Sequence, residues 1–368
     1  MVATRILRFP SDRSLGWLSC LVGERGHEHV EDLGPARGTA VVPEDSRRRL
    51  RVTDEGASDL SPLSALQPDD LQEINAAQCS IDDAALAYLQ GLAALESLDL
   101  LDTSISDTGL RYLRGLRALR RLYLAATQVS DIALIYLEGM TALHELVLMN
   151  TRVSDAGLMQ LGTLRALTRL DLSGTRIGGV GLPYLRELAS LQALDLSGTL
   201  IDDGGLAYLP LLTSLRSIGL AETSVHENGL AHIAEFSTLE EIYLGNTPVA
   251  DRGLERLRRL SRLLALDLSG TAISDSGLAH MQEFVAMEWL NLAGTSIGDA
   301  GLAHLHNVRS LQQLILTSTA ITDAGLMHLR ELHALRTLDL VDTPVSAASV
   351  SILREDLPNC DIRITRWT

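Results

Sequence analysis

The chain contains no lysine: all 31 of its basic residues are arginine. That excludes every mechanism needing an amine on a flexible stem, among them the phosphate-loop lysine, the Schiff-base lysine and the kinase-type lysine. A GC-rich genome that writes arginine for lysine would produce this bias. So would selection against modification at lysine, as an adaptor in a ubiquitin-like tagging or proteolytic machine would need, and composition does not separate the two. Cysteine is almost as scarce. Cys20, Cys79 and Cys360 are odd in number and far apart, without the paired spacing of a zinc site or a disulfide framework, which fits a reducing cytoplasm. No apolar run approaches the roughly 20 residues that cross a bilayer. Net positive charge is missing too: 47 acidic residues leave the chain at −16, so nucleic acid and anionic membranes are repelled by the bulk of the surface.

What is present in quantity is aliphatic. With 368 residues and 46% hydrophobic content the chain can bury a large core. The segment "SLGWLSCLVG" (Ser14 to Gly23), behind Arg5, Arg8 and Arg13, has the outline of an export signal with a lipidated Cys20. Pro10 to Arg13 interrupt its apolar part, and Trp17 stands where a lipobox takes an aliphatic residue, so a cytoplasmic protein is expected.

Leucine-type residues recur every 24 positions, at Leu71, Leu95, Leu119, Leu143, Leu167, Leu191, Leu215, Leu239, Leu263, Met287, Leu311 and Leu335. The twelve units share the frame L-x-x-L-x-L-x-x-T-x-[IV]-x-x-x-G-L-x-x-L-x-x-L. Leu266 and Leu268 alternate as in a strand. Leu278, Met281 and Phe284 recur every three residues as on one face of a helix, after a Ser274-Asp275 start suited to an N-cap. Each unit therefore reads as strand, turn, helix, and neighbours must stack to bury their leucines.

In these residues the chain resembles the leucine-rich repeat proteins, from Leu71 to about Ile364. The resemblance implies an α/β fold, a right-handed solenoid or horseshoe with a parallel sheet on the concave face and helices on the convex face. The family's asparagine after the strand is replaced by threonine, from Thr103 to Thr343 in steps of 24, and by Cys79 in the first unit. A hydroxyl there is expected to bond the turn of the next copy. The threonine form with "D-x-G-L" looks like bacterial repeat proteins, and is similar to the ribonuclease-inhibitor and F-box-adaptor subfamily rather than to the internalins. Residues 1–70 are expected to form a small α/β cap with a degenerate first repeat, and residues 71–368 the twelve repeats with a C-terminal capping strand. In the cap, "RRLRV" (Arg48 to Val52) reads as the extra strand, "GTAVVP" as its hairpin partner, and Leu15, Leu18 and Leu21 as one side of an amphipathic helix.

Catalytic constellations are scarce. "HEHVE" (His27 to Glu31) matches no zinc motif, "GGVG" (Gly178 to Gly181) is not a phosphate loop, and the convex column Tyr88, Tyr112, Tyr136, Tyr184, Tyr208, His232, His280, His304 and His328 places single histidines roughly 10 Å apart. No metal, cofactor or small-molecule substrate is expected, and enzyme activity within residues 1–70 is the alternative. Two arginine clusters, Arg111 to Arg121 and Arg252 to Arg262, read first as neutralising nearby acids. Arg252, Arg256 and Arg259 also offer a convex docking point.

The residues x of x-L-x-L-x face solvent on the sheet. In the column after the first leucine, aspartate is the background, and the departures toward large apolar groups are Tyr123 and Val147, with Met149 nearby, and Tyr243 and Ile315, with Trp289 two residues before the column's Asn291. Folding does not require these groups, and aromatics on such a face are the usual anchors of protein interfaces. The expectation is a non-enzymatic scaffold that binds a protein partner on its concave face. Asp267 beside Tyr243, Trp289 and Ile315 suits a ligand whose apolar anchor is flanked by a basic group.

Overall fold

Every 24-residue frame begins with a three-residue strand whose central residue points inward and whose two neighbours point to the open side. In the computed structural model, which describes residues 4–22 and 29–364, these strands add up in register within each of two compact units. The first unit runs to Arg176 and includes Tyr184–Leu191; the second comprises Ile177–Pro183 and Gln192 onward.

In the first unit, β1 (Thr4–Arg8), β2 (Gly16–Val22), β3 (His29–Pro35), β4 (Thr39–Pro43) and β5 (Arg47–Val52) precede the repeat strands β6 (Glu73–Asn75), β7 (Ser97–Asp99), β8 (Arg121–Tyr123), β9 (Glu145–Val147) and β10 (Arg169–Asp171). Strand β2 pairs antiparallel with β3 on one side and β5 on the other, and from β5 to β10 the pairing is parallel. Leu50 lies against Ile74, 24 residues on.

Two expectations fail in this segment. Residues 16–22 form a strand, not an amphipathic helix: Leu18 and Cys20 are wholly buried while Trp17 between its neighbours is 52% exposed. The operative period is therefore two, whereas the helix reading followed the three-residue spacing of the leucines. "GTAVVP" pairs with β1, Ala40 opposite Leu7, rather than with "RRLRV". Among the described residues of this segment, helix is confined to Asp54–Ala57 and a 3-10 turn at Ser61–Ala65. Arg48 points inward from β5, 3% exposed, and donates to the carbonyls of Pro43, Glu44, Asp69 and Asp70. Those backbone oxygens satisfy the buried guanidinium, as burial of a charge requires.

The second unit stacks β11 (Ala193–Asp195), β12 (Ser217–Gly219), β13 (Glu241–Tyr243), β14 (Ala265–Asp267), β15 (Trp289–Asn291), β16 (Gln313–Ile315), β17 (Thr337–Asp339) and β18 (Asp361–Arg363), all parallel. The frame leucines fill the space behind the sheet; Leu263, Leu266, Leu268, Ile273, Leu278, Met281 and Phe284 of one copy are all fully buried. The last helix, Ala347–Asp356, stops before Pro358, and β18 follows.

Several of the backing elements are shorter and tighter than α-helices, whereas Glu227–Ile233 and Asp251–Leu257 are α-helical throughout. Asp275–Leu278 is followed by a 3-10 stretch Ala279–Glu283, and the same division recurs in other copies. A strict three-residue leucine spacing matches the three residues per turn of a 3-10 helix better than 3.6.

One device closes the turn within each copy, and a second joins neighbouring copies. The residue before each frame threonine, or before Cys79, is left-handed: non-glycines there, such as Asn150, Asn246 and Ala126, have φ near 55°, and Gly270 and Gly294 near 64°. The threonine hydroxyl then donates to the carbonyl of the leucine three residues back in its own copy, Thr127 to Leu124 at 2.6 Å. It does not bond the next copy as expected, because the tight turn folds that carbonyl directly beneath it.

The link between copies comes from the aspartate of D-x-G-L. Asp107 accepts from the backbone N–H and the hydroxyl of Ser130, both at 2.6 Å. Asp83, Asp131, Asp251 and Asp299 hold Ser106, Ser154, Ser274 and Thr322 in the same way. The glycine of the motif makes room for this: a Cβ at Gly277 would stand 2.4 Å from the Asp251 carboxylate.

Candidate sheet-face binding sites

In the second unit, Tyr243 is the last residue of β13 and Trp289 the first of β15. Register places Ala265 of β14 opposite Trp289, and Asp267 opposite Tyr243. The small Ala265 lets the indole lean across β14, and the two rings meet at 6.2 Å between centroids, tilted by 55°, a geometry favoured by the ring quadrupoles. Ile315 continues the column Tyr243, Asp267, Asn291, Ile315. Tyr243, Trp289 and Ile315 are each half-buried. The Tyr243 hydroxyl donates to Glu241 at 3.2 Å, and Ser217 donates to the same carboxylate. Burial and the Glu241 charge push the phenol up to about 12, so it stays a neutral donor at physiological pH.

The aspartate background of this column has a local cause. Asp99, Asp171, Asp195, Asp267 and Asp339 each accept the backbone N–H two residues on, as do Asn75 and Asn291. These are Asx turns that close the strand end. Tyr123, Val147, Tyr243 and Ile315 forgo that bond, since their side chains have no carboxylate or amide to offer.

In the first unit Tyr123 and Val147 are neighbours on β8 and β9. Met149, two residues past Val147, lies beyond the strand and is half-buried. The Tyr123 hydroxyl donates to Glu145 at 2.9 Å, and burial followed by this contact raises it to about 12. Beside it opens a groove of about 1140 Å³ lined by Trp17, Arg49, Arg51, Glu73, Asp99 and Arg121 among others. The sequence reading missed this groove because it followed the third strand position. The first position carried the signal, reading Arg49, Glu73, Ser97, Arg121, Glu145 and Arg169 at the 24-residue step.

A family model described as Leucine Rich repeat matches residues 163–185, 261–279 and 309–329. An internalin of Listeria monocytogenes, InlF, superposes with a TM-score of 0.61 at 21% identity over 84% of this chain and 89% of its own. A leucine-rich repeat protein of Leptospira interrogans gives 0.53 at 18% over 86% and 88%. The chain has the leucine-rich repeat fold. Identity at this level shows the fold alone, and it includes an internalin, the group from which the threonine pattern had set the repeats apart. No curated protein matches in sequence.

On the helical side of the leucine-rich repeats, Arg252 and Arg256 lie on the helix Asp251–Leu257 and Arg259 just beyond it. All three are exposed, as are Arg258 and Arg262, and among the described residues none forms an ion pair, contrary to the expected neutralisation. The other arginine cluster is divided between faces: Arg111 stacks on Tyr112 at 4.6 Å, while Arg121 reaches Glu73 on the sheet. The tyrosine and histidine column stays dispersed; Tyr184 and Tyr208 are each 47% exposed, and His232 lies 3.7 Å from Glu235. His27 and Glu28 of "HEHVE" fall outside the described residues, whereas His29–Glu31 belong to β3. In "GGVG", Gly179 has φ +103°, and a Cβ there would stand 2.7 Å from the Gly205 backbone. Close packing of two turns thus explains Gly179. Among the described residues no helix is long and apolar enough to cross a membrane.

Proposed function

We propose that this protein is a non-enzymatic scaffold that recognises a protein partner through the sheet face of its second unit, with Tyr243, Trp289 and Ile315 as anchors and Asp267 as their charged neighbour. The repeat fold is consistent with a protein-binding scaffold. The observation that carries the reading is the Tyr243–Trp289 ring pair, built on a face where the frame itself asks for turn-capping aspartates. Half-buried aromatics next to a carboxylate suit a partner with an apolar anchor beside arginine or lysine. Residues 1–70 act in this reading as a cap closing the first repeats.

The test is affinity capture from the native cell with the intact protein and with Trp289→Ala, followed by titration of what is captured. Loss of the indole is expected to weaken binding by about 2 kcal/mol at an unchanged melting temperature. Asp267→Asn keeps the acceptor that Asn291 uses in its own turn, so it should slow association and flatten its salt dependence without disturbing the strand end. Unchanged affinity for Trp289→Ala and Tyr243→Ala alike would refute the assignment.

A further inference from the structure

Folding asks for nothing large on the solvent side of the backing elements. At the frame position of Ile135 other copies carry Ala87, Ala207, Ala231, Ala279 and Ala303, and at that of Ile132 they carry Ala84, Thr108 and Ala156. Ile132 is nonetheless 68% exposed, Ile135 50%, and Met159, one copy on from Ile135, 54%. The elements concerned, Arg111–Leu113, Ala133–Leu137 and Leu158–Leu161, pack in that order within the first unit. Ile135 and Met159 therefore stand side by side, with Ile132 one turn before Ile135, and large apolar groups gathered on a solvated face mark an interface rather than a core.

The copy before this patch is basic. Arg111, Arg114 and Arg117 are all exposed. Arg111 stacks on Tyr112 and donates to its hydroxyl at 2.5 Å, whereas Arg114 and Arg117 form no ion pair among the described residues. Across residues 87–94, 111–118, 135–142 and 159–166, the corresponding stretches of four successive copies, the only carboxylate is Glu138. Against it stand Arg111, Arg114, Arg117 and Arg165, the last paired with Glu187 at 2.9 Å. The clamp aspartates Asp83, Asp107 and Asp131 lie at the opposite ends of their elements, half-buried against the cap of the next copy. Arg114 is roughly 12 Å along the element from Asp107, farther than charge carries in physiological salt. On a chain of charge −16, this face is locally positive.

We infer that this helical-side surface of the first unit docks an acidic amphipathic helix of a partner protein, its apolar stripe on Ile132, Ile135 and Met159 and its carboxylates against Arg111, Arg114 and Arg117. A helix repeats its apolar residues every three or four positions and flanks them with a charged row. Here an apolar row and a basic row lie on packed neighbouring elements, the match such a helix needs. Arg114 and Arg117 give up no ion pair when a carboxylate arrives, and guanidinium forks grip carboxylates in two-pronged fashion. An anionic membrane is the poorer occupant, because a flat sheet of headgroups would also meet the acidic body around the patch, whereas a helix covers the patch alone. This surface is separate from the Tyr243–Trp289 pair and functions whether or not that pair binds anything.

The experiment is a fluorescence-anisotropy titration of the full chain into a labelled synthetic helix of roughly 15 residues, leucines spaced three and four apart with glutamates along one flank. Beside it run a counterpart with glutamine for glutamate and vesicles of phosphatidylcholine and phosphatidylserine. The acidic helix is expected to saturate, the glutamine helix to bind about tenfold more weakly, and the vesicles to stay free. Ile132→Ala, Ile135→Ala and Met159→Ala combined install the residue that other copies carry at these positions, and should weaken binding about tenfold at an unchanged melting temperature. Arg114→Gln with Arg117→Gln should do the same, and Trp289→Ala should change nothing. No saturation by about 1 mM, equal affinity for the glutamine helix, indifference to either set of substitutions, preference for the vesicles, or loss of binding with Trp289→Ala would each overturn the proposal.

Discussion

Ala126 occupies a backbone conformation that alanine resists. Its φ of 55° lies in the left-handed region, where a Cβ costs roughly 1–2 kcal/mol. The corresponding residue is glycine at 174, 198, 270 and 294. Replacing Ala126 by glycine relieves that cost but adds freedom to the unfolded chain, worth roughly 0.5–1 kcal/mol. A net gain of about 0.5 kcal/mol or more is expected in urea unfolding. Gly294→Ala is the mirror experiment: the new Cβ would meet nothing closer than 3.8 Å, so the loss, about 1 kcal/mol, is purely conformational. If both substitutions moved stability in the same direction, the left-handed turn would not be the operative constraint. The sequence displayed this position, as the glycine of "LSGT", without revealing the alanine that tolerates it. Likewise it displayed Trp289 as an outlier but not its contact with Tyr243, which depends on Ala265 being small on the strand between them.

At the scale of the element, the strand-turn-helix frame was readable because its period changes from two to three. The inter-copy link was not. "S-D" reads as an N-cap followed by an acidic first turn, and Ser106 and Ser274 do cap their own helices. What the one-dimensional pattern conceals is that the aspartate reaches forward 23 residues, across the stack, to clamp the next cap. A double-mutant cycle on Asp107→Ala and Ser130→Ala should therefore show a coupling of about 1 kcal/mol, whereas a solvated aspartate would show none. Acid should loosen the same link. The Asp83 carboxyl, although burial works against its charge, is held below the usual carboxylate value of 3.8 by the hydroxyls of Ser106 and Thr108 and the N–H groups of Ser106 and Gly109. A depressed folded-state value means stability that is present above that ordinary value and lost as pH falls through the folded one. Unfolding midpoints are expected to hold steady from neutrality down to the ordinary carboxylate range and to decline below it. Asp83→Asn should flatten that decline.

At the scale of the whole molecule, the gapless register was legible from the leucines alone, while the antiparallel start was not, because Leu15, Leu18 and Leu21 have the spacing of a helix and only pairing on both edges of β2 makes them a strand. Where copies contact their neighbours through parallel strands, shared leucine layers and aspartate clamps, stability is a sum of nearest-neighbour terms rather than the property of one central core. Leu266, fully buried at the centre of β14 between Ile242 and Leu290, tests this. Leu266→Ala should cost about 2–5 kcal/mol locally, and native-state hydrogen exchange should show protection falling most in the strands containing Ile242, Leu266 and Leu290. It should fall progressively less toward β18 and β11. A uniform loss across the second unit would mean that its repeats unfold as one block, and that the interfaces between copies, not the copies themselves, hold most of the stability.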